Sequence, residues 1–217
     1  MHGRDVPLHI PETALLFVDV QNYIANRRGG AYRAVPEAEF NQSYGYFFST
    51  LEEAVIPNMC RLQAGFRNAG IEVLYTTIES LTKDGRDRGL DYKTLGYNVP
   101  KGAWDAQVID KLTPDDDEIV LPKSASSVFI STQIDYVLRN LGVRQLVICG
   151  LETDECVESA IRDAADLGYL VTQVTDACAT YSPERHQHSL ETIGGHCRQM
   201  TTDALLEEIS AAVGTWA

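Results

Sequence analysis

The sequence is poor in positive charge. Its 217 residues contain 18 Lys and Arg against 31 Asp and Glu, which gives a formal net charge of −13. Because nucleic acids and anionic membranes are bound by clustered positive charge, we expect neither as a partner. The sequence also lacks any apolar run near the roughly 20 residues of a membrane span, and residues 1–11 lack the apolar segment of a signal peptide.

Cysteine is scarce and odd in number. The five cysteines do not show the close spacings of a disulfide framework. A chain of this length buries enough apolar surface to fold without disulfides or metals. We therefore expect a cytoplasmic protein with reduced cysteines, in which an unusual cysteine is catalytic rather than bridged. Glycine-rich phosphate-binding motifs are also missing after the predicted strands, so nucleotide binding has no support from a motif.

Short apolar runs alternate with stretches of helical periodicity. The runs predict strands at 14–20, 70–78, 118–121, 145–149 and 169–174, with a weak one near 198–201; Pro122 is expected to end the third. The helical stretches are 52–68, 131–141, 155–167 and 202–213. This alternation predicts an α/β fold: a three-layer α/β/α arrangement with a mostly parallel, Rossmann-like sheet of about six strands. We expect one domain over residues 1–217, with 1–12 as an N-terminal extension.

Three reactive residue types follow predicted strands, where open parallel sheets bind their ligands. Asp19 lies near the end of the first strand, Lys123 follows the third, and Cys156 follows the fourth. Thr153 or Asp154 is expected to cap the next helix, which would place Cys156 in its first turn and lower the thiol pKa. Taken singly, each has an ordinary structural interpretation: a capping acid, a solvated lysine and a small buried cysteine.

Together these positions form motifs that resemble the isochorismatase-like cysteine hydrolases. The resemblance runs from about residue 13 to about residue 206. It rests on three motifs in order, D-x-Q, P-K and G-x-x-T-x-x-C-V, formed by Asp19 and Gln21, by Pro122 and Lys123, and by Gly150, Thr153, Cys156 and Val157.

The resemblance implies the roles of the site residues. Asp19, Lys123 and Cys156 would be the catalytic triad. A cis peptide bond would join Leu151 to Glu152, and the backbone N–H groups of Glu152 and Cys156 would form the oxyanion hole.

Differences within the family narrow the expected activity. Related nicotinamidases carry a histidine metal site after the second strand, but residues 77–101 contain no histidine here; we therefore expect no metal and no other cofactor. Residues 101–129 and 156–164 are most similar to the ureidoacrylate and biuret (triuret) amidohydrolases. The expected function is cleavage of a C–N bond in a small carbamoyl or ureido compound through a thioester. The alternatives are another amide, such as nicotinamide or an N-carbamoyl amino acid, isochorismate, or non-catalytic binding. The resemblance also implies a homo-oligomer, a dimer or tetramer.

Several residues near the predicted strand ends are candidate substrate contacts. Glu79 offers a carboxylate to a ureido NH₂ group, and aromatic side chains are suited either to pocket walls or to the core. The histidines of the polar segment 180–197 are expected on the surface. The full set of candidate contacts is Gln21, Tyr23, Glu79, Trp104, Phe129 and Gln199.

Overall fold

One parallel sheet organises the chain. The computed structural model describes residues 3–214, so the first two and last three residues of the predicted domain lie outside the described residues. The strands are β1 (Thr13–Val18), β2 (Glu72–Ile78), β3 (Ile119–Lys123), β4 (Gln145–Leu151), β5 (Leu170–Ala179) and β6 (Arg198–Met200). They lie in the order β3-β2-β1-β4-β5-β6, and each neighbouring pair is parallel. The predicted α/β fold with a single parallel sheet is confirmed.

Helices cover both faces of the sheet. The chain moves from β1 to β2 towards one edge of the sheet and from β4 to β5 towards the other edge. Because both crossovers are right-handed, their helices lie on opposite faces of the sheet. No helix in the range 3–214 is long and apolar enough to cross a membrane. The helices are α1 (Asn22–Ala25), α2 (Glu37–Thr50), α3 (Ile56–Asn68), α4 (Leu90–Leu95), α5 (Val128–Ser131), α6 (Ile134–Asn140), α7 (Glu158–Asp166), α8 (Pro183–Ile193) and α9 (Thr202–Gly214).

The two central strands are fully buried. Every residue of β1 and of β4 is buried, as expected for parallel strands covered on both faces. Phe17 of β1 stacks on Tyr75 of β2, with ring centroids 5.2 Å apart. This burial explains why the apolar runs predicted these strands well, and it fixes the carboxyl ends of β1, β2 and β4 rigidly beside one another.

The helix predicted at 52–68 is the second half of a longer helical segment. Helix α2 runs directly into α3 through a π-helical turn at Leu51–Val55. Pro57, near the start of α3, has no N–H to donate to the preceding turn, and the local widening accommodates it. The helix predicted at 131–141 is divided into α5 and α6, and α8 was not predicted.

The third strand continues through its proline. Pro122 was expected to end the strand, and this prediction was wrong: Pro122 pairs with Thr77, and Lys123 pairs with Ile78. Strand β3 is at the edge of the sheet, where a residue without an N–H is tolerated. Because the strand extends by two residues, Lys123 is held by the sheet instead of lying in a loop.

Candidate active site

The strand order reverses between β1 and β4. From β1 the chain continues to β2 and β3 on one side, whereas from β4 it continues to β5 and β6 on the other. The carboxyl ends of such a pair open a crevice, which is the usual ligand site of open α/β sheets. Asp19 directly follows β1, and Cys156 lies in the turn after β4. The topology therefore brings both residues to one crevice.

Lys123 joins the other two side chains. Its Nζ lies 2.8 Å from Oδ2 of Asp19 and 3.3 Å from Sγ of Cys156. All three residues are buried, with exposed fractions of 1% for Lys123, 0% for Asp19 and 6% for Cys156. A lysine is almost never buried unless it is paired, so Lys123 and Asp19 form a buried ion pair that is in contact with the thiol of Cys156.

Tyr92 is a fourth member of this cluster that the sequence analysis missed. Nζ of Lys123 donates to Oη of Tyr92 at 2.7 Å and to the carbonyl of Ala125 at 3.0 Å. Oη of Tyr92 lies 3.6 Å from Sγ of Cys156. Because Lys123 is the donor to Oη, the phenol proton is free to point at the sulfur. Tyr92 comes from the short helix α4, which carries no motif that marks it as functional.

The backbone at Asp19 aims its carboxylate. Asp19 has a φ of 55°, in the left-handed region that Asp tolerates better than most residues. Its N–H donates to the carbonyl of Thr76 at 3.0 Å, and the Thr76 hydroxyl donates to Oδ1 at 2.9 Å. Oδ1 is thus held by β2, and Oδ2 faces Lys123.

The loop that carries Cys156 is set by Gly150. A Cβ at this position would lie 2.2 Å from the carbonyl oxygen of Val18 on β1, and the φ of Gly150 is 139°. The next peptide bond, Leu151–Glu152, is cis, where the family resemblance implies it. The predicted cap was wrong: the cap is Glu152, without a side-chain hydrogen bond, and Cys156 lies in a π-helical turn at Thr153–Val157 that precedes α7.

Burial governs the protonation of the cluster. It raises the pKa of the Cys156 thiol to about 12, with Lys123 opposing the shift and Asp19 adding to it. The predicted low pKa of Cys156 was therefore wrong, because loss of solvent outweighs the nearby cation. Burial also raises the pKa of Asp19, partly offset by Lys123. For Lys123, burial alone would lower the pKa, but Asp19 and Cys156 raise it. The resting state is a neutral thiol beside a lysine–aspartate ion pair.

Both polar atoms of the Gln21 side chain bond to backbone groups. Its Nε2 donates to the carbonyls of Ile78 and Asp105, both at 2.9 Å, and its Oε1 accepts from the N–H of Ile78. The side chain is fully buried. Gln21 thus ties the ends of β1 and β2 to the segment around Asp105, and no polar atom of its amide faces the crevice.

Glu79 and Trp104 lie at the rim. Oε1 of Glu79 accepts from the N–H of Gly102 at 2.6 Å, which fastens the loop after β2. Trp104 is 44% exposed, and its carbonyl accepts from Nδ2 of Asn22 at 3.1 Å. Neither side chain contacts Asp19, Lys123 or Cys156 in the hydrogen bonds and ion pairs of the described residues.

Phe129 and Gln199 are not brought to the site. Phe129, in α5, packs against Tyr169 with centroids 5.9 Å apart, at the amino end of β5. Gln199, on β6, donates to Oε1 of Gln173 at 3.1 Å and to the carbonyl of Leu190 at 2.8 Å. Sequence position alone does not show which end or edge of the sheet these two residues occupy.

Tyr23 lines a cavity close to Cys156. Its ring lies 6.0 Å from that of Tyr97, and the ring of Tyr97 lies 5.4 Å from that of Tyr92. Tyr23 and Tyr97 belong to the wall of a cavity of about 320 Å³. Tyr92, in turn, touches the sulfur of Cys156. Tyr97 in the cavity wall is therefore linked to the reactive cluster through the ring of Tyr92.

Histidines are absent from the reactive cluster. His186, on α8, shares a hydrogen bond of 2.9 Å between its Nδ1 and Oγ1 of Thr153, and burial lowers its pKa. Within the described residues, no group of three or more His, Cys, Asp or Glu side chains is arranged to hold a metal ion. The groups available for chemistry at this crevice are thus the thiol, the carboxylate and the ammonium.

Sequence relatives point to the same family as the motifs. The Isochorismatase domain matches residues 13–204. Ureidoacrylate amidohydrolase RutB of Pseudomonas syringae pv. syringae strain B728a is 32% identical over 205 residues, which cover 86% of this chain and 79% of that protein. Ureidoacrylate amidohydrolase RutB of Stutzerimonas stutzeri strain A1501 is 30% identical in an alignment that covers 98% of this chain and 93% of that protein.

Solved structures share the fold over nearly the whole chain. A cysteine hydrolase from Pseudomonas syringae pv. phaseolicola 1448A superposes with a TM-score of 0.81 at 24% identity, covering 95% of this chain and 96% of that chain. N-carbamoylsarcosine amidase from Thermoplasma acidophilum superposes with a TM-score of 0.67 at 25% identity, covering 88% and 97%. With the domain match extending from β1 into α9, the protein belongs to the isochorismatase family and is an isochorismatase-like hydrolase.

Proposed function

We propose that the protein is a cysteine-dependent amidohydrolase that cleaves a C–N bond of a small carbamoyl or ureido compound. The observation that carries the proposal is the position of the Lys123 ammonium, 2.8 Å from the Asp19 carboxylate and 3.3 Å from the Cys156 sulfur in a buried crevice. The named relatives support a C–N bond as the target, since they are ureidoacrylate amidohydrolases and an N-carbamoylsarcosine amidase.

In the first half of the reaction the thiol becomes the nucleophile. Asp19 accepts the proton of Cys156 as the sulfur attacks the carbonyl carbon, and Lys123 stabilises the thiolate as it forms. Burial raises the pKa of Asp19, which makes its carboxylate a stronger base for this transfer. The N–H groups of Glu152 and Cys156 are the proposed donors to the oxyanion. The C–N bond then breaks, the leaving nitrogen takes the proton from Asp19, and an acyl thioester remains.

In the second half water replaces the nitrogen. Asp19, again a carboxylate, accepts a proton from water as the water oxygen attacks the thioester carbon. The C–S bond breaks, and the proton returns to the sulfur, which restores the neutral thiol of the resting state. Lys123 keeps its proton throughout, because its contacts with Asp19 and Cys156 raise its pKa.

Release of ammonia from a panel of amides tests the proposal. The panel contains biuret, triuret, ureidoacrylate, N-carbamoyl amino acids and nicotinamide, with pyruvate release from isochorismate measured in parallel. We expect at least one ureide to exceed nicotinamide and isochorismate in kcat/KM. An ether has no acyl group for the thiolate to capture, so pyruvate as the main product would contradict the proposal, as would a best substrate that is not a ureide.

A further inference from the structure

A cavity lined by tyrosines is linked to the reactive cluster through the rings of Tyr97 and Tyr92. Its volume is about 320 Å³, enough for a small planar molecule. The rings pack edge to face around it: Tyr32 and Tyr44 lie 4.9 Å apart, and Tyr44 and Tyr181 lie 5.5 Å apart. Its wall includes Arg185 and the five tyrosines Tyr23, Tyr32, Tyr44, Tyr97 and Tyr181.

The Glu152 side chain lies buried against this wall with an unsatisfied oxygen. Glu152 is only 4% exposed, and its Oε1 has no hydrogen-bond partner among residues 3–214. Tyr181 lies near the same carboxyl group and opposes the rise of its pKa, and the charge of Glu152 acts on Tyr23, Tyr32 and Tyr97 as well. A buried polar atom without a partner is costly, so an oxygen left in this state next to a cavity indicates a ligand that satisfies it.

Glu152 also links the cavity to the reaction. Its peptide bond with Leu151 precedes the turn that carries Cys156, and its N–H is a proposed donor to the oxyanion. The backbone of Glu152 thus belongs to the proposed oxyanion site, while its side chain lies near Tyr181 of the cavity wall. A ligand that bonds to its carboxylate is held at a short, defined distance from the sulfur.

Arg185, the one cation that residues 3–214 contribute to the cavity wall, is already paired. Nε of Arg185 lies 2.5 Å from Oδ2 of Asp154, and its Nη2 lies 3.7 Å from Oε1 of Glu155. With Glu152, three carboxyl groups stand against one guanidinium at this end of the cavity. The local charge thus favours a cationic ligand and opposes an anionic one.

We propose that Glu152 and the tyrosine cavity bind a cationic nitrogen at the far end of the substrate while its ureido carbonyl lies at Cys156. This inference rests on the proposed ureide hydrolysis and narrows its substrate class. Tyrosine faces attract cations, and an ammonium or amidinium brings the N–H donors that Oε1 lacks. A ureide that ends in a carboxylate, as ureidoacrylate does, would be repelled. The chain would then differ in substrate from the relatives named for ureidoacrylate.

Glu152 makes this preference depend on pH. Burial raises its pKa to about 7; Asp154 and Glu155 add to the shift, whereas Tyr181 and Arg185 oppose it. Below pH 7 the carboxyl is neutral and does not attract a cation, and above pH 7 it is charged. The preference for a cationic substrate should therefore rise between pH 6 and pH 8.

Other titratable groups near Glu152 do not interfere in this range. Burial raises the pKa of Tyr23, Tyr32 and Tyr97 further above its ordinary value, so these phenols stay neutral. Burial lowers the pKa of His186, which faces Asp154, so that it is neutral over most of the range.

Three matched ureas test the inference. 1-(2-Aminoethyl)urea, propylurea and 3-ureidopropionate differ at one end, which is an ammonium, a methyl or a carboxylate. We expect kcat/KM at pH 8 to be on the order of 10–100-fold higher for the ammonium than for the methyl compound, and lowest for the carboxylate. The ratio of ammonium to methyl should fall as the pH is lowered to 6. Glu152→Gln should bring the kcat/KM of the ammonium compound to within about threefold of that of the methyl compound at every pH. Glu184→Gln, an exposed change on α8, should leave the wild-type ratio unchanged.

Two results would overturn the inference. One is equal turnover of the ammonium and carboxylate compounds by the wild type, and the other is an unchanged preference in Glu152→Gln. If Glu152→Gln does not fold, the pH dependence of the wild-type ratio decides alone. If no urea is hydrolysed, the proposed function fails, and calorimetric binding of the three ureas to Cys156→Ala still tests the cavity: tighter binding of the ammonium compound supports it, and equal binding refutes it.

Discussion

In the proposed reaction the sulfur of Cys156 is a thiol at rest and becomes the nucleophile only when it attacks a substrate. Loss of solvent raises its pKa to about 12 even though Lys123 is 3.3 Å away. In the proposed mechanism Asp19 carries the negative charge at rest, and the charge moves to the sulfur when the thiol proton is transferred to Asp19. Such a site is protected from unspecific oxidation and alkylation between turnovers, because the thiolate is the reactive form.

Alkylation of Cys156 should accordingly be slow and should increase with pH. A raised pKa keeps the thiol protonated below the folded value, so the thiolate fraction at pH 7 is smaller than that of a free peptide thiol. We expect iodoacetamide to modify Cys156 more slowly than a model peptide thiol at pH 7, with a steady rise towards pH 9. Peptide mass mapping gives the rate for each site, with the half-buried Cys60 as internal reference. Fast modification that is constant from pH 6 to pH 9 would show a resting thiolate.

Tyr92 should act on the chemical step rather than on binding. Its hydroxyl accepts from Lys123 and can donate to Sγ, so Tyr92→Phe removes one hydrogen bond to the developing thiolate. We expect kcat to fall about tenfold with little change in KM, consistent with one hydrogen bond to a charged group. Tyr75→Phe, which removes a buried hydroxyl bonded to Gln63 away from the site, is the matched control. A similar loss in both variants would mean that Tyr92 serves only the fold.

At the scale of elements, the contact between β1 and β4 holds the catalytic loop. Gly150 sits where a Cβ would meet both the oxygen and the nitrogen of Val18, at 2.2 and 2.6 Å. The neighbouring strand ends carry Asp19 and the Cys156 turn, so any separation of these strands also separates the acid from the thiol.

Gly150→Ala should therefore damage stability and activity together. Gly168→Ala is its control, because Gly168 also has a positive φ, of 93°, but nothing lies within 4 Å of its added Cβ. We expect Gly168→Ala to lower the free energy of unfolding by about 1–2 kcal/mol from backbone strain alone. Gly150→Ala should lower the free energy of unfolding by at least about 2 kcal/mol more than Gly168→Ala does, since backbone atoms must move as well. Urea denaturation measures both, and equal losses would contradict the close approach of the strands.

The strands, and the meeting of Asp19, Lys123 and Cys156 at one edge of the sheet, could be predicted from the sequence because each has a local signal. Buried parallel strands are apolar runs, and the carboxyl ends of such strands meet at one edge of the sheet. Lys123 was found despite the wrong end assigned to its strand at Pro122, since either assignment leaves it at that edge.

The rest of the site depends on packing that no local pattern encodes. Tyr92 reaches the sulfur from a short helix without a motif, and Glu152 was assigned only a backbone role although its side chain lies against the cavity. Gln21 was expected near the substrate, yet its amide is consumed by backbone groups of β2 and a distant loop. Such partners are set by the tertiary fold and not by the spacing of residues in the chain.

At the scale of the whole molecule, the net charge of −13 has the same sign as the carboxylates near the tyrosine cavity. A strongly negative protein raises the local concentration of cations and lowers that of anions, and salt weakens this effect. The expected homo-oligomer stays a prediction, which light scattering on the purified protein can check.

Activity should survive exhaustive chelation. Residues 77–101 contain no histidine, and the proposed steps use only Asp19, Lys123, Cys156 and backbone N–H groups. We expect turnover after prolonged dialysis against EDTA to stay within about twofold of the untreated enzyme. A loss that zinc or another divalent ion restores would show that the reaction needs a metal site built from other residues.

The central claim is that Cys156 is the nucleophile, and the turnover of Cys156→Ala tests it most directly. The measurement is ammonia release from the best ureide by the wild type, by Cys156→Ala and by Cys60→Ala, with thermal melting to show that all three are folded. The account predicts that Cys156→Ala loses at least about 10³-fold in kcat, as expected for removal of a nucleophile, whereas Cys60→Ala stays near the wild type. A folded Cys156→Ala variant within tenfold of the wild type would contradict the covalent mechanism.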